Sequence, residues 1–204
     1  MSSTPPDAIR PDDAAVNGEA TEVAVPLDCP WPIVLGVDPG TRVLGYGAIV
    51  RRTEGPRLLA AGTIEPTSTL SVPQRLATIR FEFERLLQRL RPTVVVIEKA
   101  FSARNVQSAL RIGEGRGVVL AAAAGFGAEV VQYMPSTAKK ALVGSGQGTK
   151  EQVAAMAARL LGLETVPGPL DVTDALGLAL AFDQKDRGAG ARLRTTVRGS
   201  NRPR

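Results

Sequence analysis

With 204 residues, no histidine and a single cysteine, Cys29, the chain lacks the parts for a Ser-His or Cys-His nucleophile, an imidazole or thiolate metal site, or an internal disulfide. Its 44% hydrophobic content suffices for one well-packed domain, leaving carboxylates, lysines and hydroxyls for chemistry. The net charge of +5 is unevenly spread: residues 1–30 hold six acids and one arginine, residues 184–204 hold seven Lys or Arg and one Asp, and the mildly basic body between them suits a polyanion such as nucleic acid.

Residues 1–30 are polar, acidic and proline-rich without a sustained period, and read as a disordered extension. The folded domain is expected over 31–183. Ile33 to Val37 reads as a buried strand, followed by the Pro39-Gly40 turn and a hairpin partner from Leu44 to Arg51. The run RLLAAGTIE supplies a third strand. From Ser71 to Leu90, apolar residues at Leu76, Ile79, Phe83, Leu86, Leu87 and Leu90 recur at helical spacing until Arg91-Pro92 stops them. Thr93 to Glu98 is the next buried strand, Ala103 to Ala124 an alanine-rich helix containing Gly113, Gly115 and Gly117, and Glu129 to Met134 a fifth strand. Pro135 opens a short helix to Leu142, and Thr149 with Gln152 forms a capping box for a helix from Lys150 to Leu161. The last helix is expected from Asp171 to Phe182. Residues 184–204 carry too few apolar side chains to pack and read as a disordered basic tail. This order predicts an α/β domain, a five-stranded mixed sheet with helices on both faces. No stretch reaches roughly 18 uninterrupted apolar residues and no basic segment leads into an apolar core near the N-terminus, so a cytoplasmic protein without a membrane partner is expected.

Four acids stand out within this pattern. Asp38 and Glu98 each end an aliphatic run, where an unpaired buried carboxylate costs several kcal/mol. Their strands lie side by side if the crossover is right-handed. Asp171 and Asp174, three residues apart, share one face of the last helix and can approach that strand pair. Oxygen ligands without nitrogen or sulfur select Mg²⁺, with Mn²⁺ as its substitute, and point to phosphoryl chemistry. Each acid also has a plainer reading: Asp38 as a turn acid, Glu98 as a strand-end charge, Asp171 as an N-cap. Asp174 resists it, because DALGLALAF is otherwise apolar.

The motifs VLGVDPGTRVLGYG, VVVIEKAFSARNVQSALRIGEGRG, VGSGQGTKEQV and DVTDALGLAL, in this order across residues 33–183, resemble the RuvC family of Holliday-junction resolvases. The resemblance implies an RNase H-like fold, a homodimer, Mg²⁺ held by Asp38, Glu98, Asp171 and Asp174, and paired hydrolytic cuts in four-way junction DNA during recombination and repair. By the same resemblance Phe101 stacks on an unpaired base, Lys139 and Lys150 lie near the scissile phosphate, and a RuvA–RuvB branch-migration complex is a partner. Phe101 equally suits a core position, and the two lysines suit solvated helix faces.

Two rivals come from other classes. The DPGT turn resembles the phosphate-binding turn of actin-like and sugar-kinase ATPases, but those proteins need two such domains and a second glycine-rich nucleotide loop. A non-catalytic junction-binding module has no physical reason to keep four converging carboxylates beside a polyanion.

Overall fold

The computed structural model describes residues 21–22, 29–99 and 106–198, with backbone alone at 21–22 and 189–198. Among the described residues six strands form one sheet: β1 (Thr21–Glu22), β2 (Ile33–Asp38), β3 (Leu44–Arg52), β4 (Gly55–Ile64), β5 (Val94–Glu98) and β6 (Glu129–Tyr133). Their spatial order is β1-β4-β3-β2-β5-β6. The hairpin neighbours pair antiparallel, whereas β2–β5 and β5–β6 are parallel. The five strands of the expected mixed sheet are all present. The two-residue β1 adds to the β4 edge from within the segment expected to be disordered; the rest of residues 1–28 lies outside the described residues.

The described residues also form five helices that cover the sheet: α1 (Val72–Leu90), α2 (Val106–Phe126), α3 (Pro135–Val143), α4 (Lys150–Leu161) and α5 (Leu170–Arg198). Alternation along the strands sorts the core into two halves. Leu35, Val37, Leu44, Tyr46, Val95 and Ile97 face α1 and α2 and meet Ile79, Phe83, Leu87 and Val119. Val34, Ile49, Val94 and Val96 face the other way, toward Val172, Leu176 and Leu180 of α5, with α3 and α4 packed alongside. Helix α1 ends where Arg91 takes a left-handed conformation (φ 49°) and donates its N–H to Leu87 O, immediately before Pro92. At α4, Thr149 and Gln152 make the expected reciprocal cap.

The seat of α5 follows from three glycines. Gly36 pairs with Gly47 across β2–β3, and Asp38 pairs with Gly45. All three glycines point at α5: a Cβ on Gly36 would lie 2.9 Å from Ala179 N and closer still to Ala175 O, and one on Gly47 would strike Leu176. Real side chains there would lift the helix off the sheet.

Helix α5 also corrects the expectation of an end at Phe182: it continues to Arg198, so the expected boundary at 183/184 falls inside a helix. The first turn past Phe182 is held by polar rather than apolar contacts. Asp183 is fully buried and accepts from Arg51 Nε (2.6 Å) and Arg187 Nε (2.8 Å), while Arg187 Nη2 also donates to Arg52 O (2.8 Å). This cross-link ties α5 to β3 beyond the last apolar turn. Among the described residues no helix is long and apolar enough to cross a membrane.

Gly36→Ala is expected to lower stability by about 1–3 kcal/mol or more through overpacking, whereas Gly113→Ala, which meets open space on α2, is expected to be neutral or mildly stabilising. Urea denaturation of both variants tests this contrast. Asp183→Ala, which removes the buried partner of Arg51 and Arg187 and leaves Arg51 only its exposed pairing with Asp186, is expected to cost about 3–5 kcal/mol in the same assay.

Candidate active site

Asp38 and Glu98 are the last residues of β2 and β5. Val37 pairs with Ile97 in the parallel ladder, so the next residues on each strand stand side by side with the same pleat orientation. Their carboxyl groups hydrogen-bond to each other. Helix α5 delivers the other two acids. Asp171 lies in its first turn over Gly45, the partner of Asp38, where an added Cβ would come within 2.9 Å of the Asp171 Cβ. Asp174 follows one turn later and is partly exposed.

Asp38 senses the other three acids. Burial pushes Asp38 up to about 7 from its ordinary 3.8, and the charges of Glu98, Asp174 and Asp171 add to the rise. Burial also raises Glu98; its hydrogen bond with Asp38 opposes the rise, Asp174 adds to it, and Lys150 and Lys139 counter it. Lys150, at the start of α4, donates from Nζ to Asp174 Oδ2 at 2.8 Å, and this bond raises the lysine above its ordinary value. Lys139 on α3 is half-buried and acts on Glu98 through its charge. Phe101 lies outside the described residues.

Among the described residues no group of three or more His, Cys, Asp or Glu side chains is already arranged to hold a metal ion. The donor chemistry nevertheless fits a hard divalent cation. Mg²⁺ takes one or two carboxylates and keeps water elsewhere, and the Asp38–Glu98 pair is such a set. A carboxyl group that keeps its proton near neutral pH because of burial and like charges is a place where a cation can replace that proton.

The sequence reading missed one residue at this site. Arg116 of α2 donates from Nε to the Glu98 carbonyl oxygen (3.2 Å) and from Nη2 to Gln132 Oε1 on β6. Its one sequence signal was a charge inside the glycine run GEGRG. A groove of about 900 Å³ between α1 and α2, lined by Leu76, Leu87, Gly117, Val118 and Phe126, does not include the carboxylates.

Carboxylates gathered at the ends of two parallel strands and the start of a helix, within a mixed sheet covered on both faces, define an RNase H-like domain with an acidic cluster at its strand ends. Residues 34–182 match the family model described as crossover junction endodeoxyribonuclease RuvC. The chain is 42% identical over 172 residues to the crossover junction endodeoxyribonuclease RuvC of Chlorobaculum parvum, covering 84% of this chain and 91% of that one. Its fold is similar to a structure of Thermus thermophilus RuvC (TM-score 0.71, 33% identity, 77% of this chain and 96% of that one). It is likewise similar to T. thermophilus RuvC solved in complex with a Holliday junction substrate (TM-score 0.69, 32% identity, covering 77% and 96%). The chain belongs to the RuvC family of crossover junction endodeoxyribonucleases.

In metal-free protein, folded Asp38 keeps its proton to about pH 7 whereas the unfolded residue ionises near 3.8. Its contribution to stability is therefore fully present below about pH 4, and it is lost as pH rises toward about 7. Asp38→Asn, which cannot ionise, is expected to flatten that decline and to melt several degrees above wild type at about pH 8 in chelator. Thermal denaturation between about pH 5 and about pH 8 checks this; parallel slopes for the two proteins would contradict it.

Proposed function

We propose that this chain resolves Holliday junctions by divalent-cation-dependent hydrolysis of phosphodiesters in two strands of like polarity at a four-way DNA junction. The observation that carries the reading is the placement of Asp38 and Glu98 on adjacent strand ends, with Asp171 over Gly45 and the charges of Asp171 and Asp174 acting on Asp38, in a chain of the RuvC family. Family membership over residues 34–182 also disfavours the ATPase-fragment and binding-module readings.

Asp38 and Glu98 would hold Mg²⁺ or Mn²⁺, with Asp171 and Asp174 completing the acidic cluster. A bound cation supplies positive charge to the scissile phosphate and acidifies the attacking water. Lys150 and Lys139 set two ammonium groups beside the carboxylates, suited to the non-bridging oxygens of the same phosphate. Phe101, three residues past Glu98, is assigned to stacking on an unpaired base near the junction centre.

The working unit is a homodimer in this reading. Helix α2 leaves Val106 and Leu110 exposed (77% and 63%), and Gly113 faces open space beside the α1/α2 groove. An apolar face of this kind suits a second copy, and two-fold symmetry matches paired cuts in an opened junction. A RuvA–RuvB branch-migration complex as partner and a cytoplasmic location complete the proposal.

A synthetic mobile four-way junction incubated with Mg²⁺ is expected to yield paired symmetric nicks that chelator abolishes, with linear duplex left intact. Asp38→Asn and Glu98→Gln should each lower the cleavage rate by about a thousandfold or more while leaving junction affinity near wild type. Cleavage retained by either variant would remove that residue from the mechanism.

A further inference from the structure

We propose that Arg116 is a positioning residue for Glu98, and that α2 braces the ends of both acid-bearing strands from the face opposite α5. This rests on the assignment of Glu98 to the cation site.

Two consecutive residues of α2 make the contacts. Gly115 is buried against the turn that follows Asp38: a Cβ on it would lie 3.1 Å from both Gly40 O and Thr41 Cγ2, a tight contact to which the turn would have to yield. Arg116, half-buried, reaches the other strand end and donates to Glu98 O. The β2–β5 pairing ends at Val37 and Ile97, one residue short of both acids. Beyond that point, Lys99 N donates to Tyr133 O (2.7 Å) on the β6 side. Arg116 joins that side too, because its planar guanidinium bridges Glu98 O and Gln132 Oε1 on adjacent strands. A rigid fork with two acceptors fixes both position and angle, which a single-point ammonium cannot do.

The backbone of Glu98 is thus held by a group that never touches the reacting atoms. Partners of this outer kind commonly alter metal affinity or activity by about 10–100-fold when removed. Loss of Arg116 would take this donor from the Glu98 carbonyl oxygen, leave the strand end held by its pairing with β6 alone, and loosen the place of its carboxylate beside Asp38.

The test is a double-mutant cycle read by calorimetric titration of full-length protein with Mn²⁺ in the absence of DNA. Arg116→Met in the wild-type background is expected to weaken Mn²⁺ binding by about 10–100-fold, and Arg116→Lys, which keeps one donor but not the fork, by less. In the Glu98→Gln background Arg116→Met should change affinity by less than about twofold. Urea denaturation of every variant shows that each is folded at the titration temperature. An equal loss in both backgrounds, or no loss in either, would overturn the positioning role while leaving the cation site in place. Wild-type protein that takes up no Mn²⁺ would overturn the cation site and this inference with it.

Discussion

The close approach of α5 to the β2–β3 hairpin is the constraint on which the rest of the molecule depends. Gly36, Gly45 and Gly47 pave one face of those strands, and the helix backbone lies directly on them at Ala175, Ala179 and Asp171. Because Gly45 is the partner of Asp38, the same contact that buries Val172, Leu176 and Leu180 also fixes how far Asp171 stands from Asp38. Packing and chemistry are one event here. A methyl group on the sheet would alter both, since interiors relax by whole-element shifts rather than by local compression.

That geometry gathers like charges where water is scarce, and the protein must hold them. Burial is the largest influence on Asp38 and Glu98, and their neighbours' charges add to it on Asp38. On Glu98 the opposing influences are its hydrogen bond with Asp38 and the charges of Lys150 and Lys139. Four carboxylates beside a polyanionic substrate would repel it, so a site of this composition gains from a divalent cation on two counts: relief of internal repulsion and attraction of phosphate. The helix that supplies Lys150 begins at a firmly capped residue, Thr149, which gives the lysine a defined origin although its side chain is exposed.

Away from the site, the Asp183 cross-link shows a different means of extending a helix. Sequence patterning gave no reason for α5 to outlast Phe182, because the residues that follow are polar or basic. The buried carboxylate of Asp183 receives Arg51 from β3 and Arg187 from the next helical turn, so one long-range and one local charge do what apolar packing did earlier in the helix. Such a pair is strongly destabilising to break because it would leave a charge without its partner in a dry place. The three residues lie 132 and 4 positions apart, and nothing local in the chain announces the long-range pair.

Much of the fold was legible along the chain because it depends on local periodicity. Buried strands, the amphipathic spacing of α1, the Arg91-Pro92 stop and the Thr149–Gln152 cap are each written in a few neighbouring residues. The four acids were legible for a related reason: a carboxylate at the end of an aliphatic run, or within DALGLALAF, violates its own surroundings and so marks itself. What the chain alone could not decide was distance. That Asp38 and Glu98 share a hydrogen bond, that Lys150 reaches Asp174, that Arg116 grips the Glu98 carbonyl and that Asp183 carries α5 past residue 182 all depend on how separate elements stack. Residue types and their order determined the class of chemistry, because composition and motif spacing are properties of one dimension. Tertiary packing decided the arrangement, because the contacts that set it join residues that are neighbours only after the helices close on the sheet.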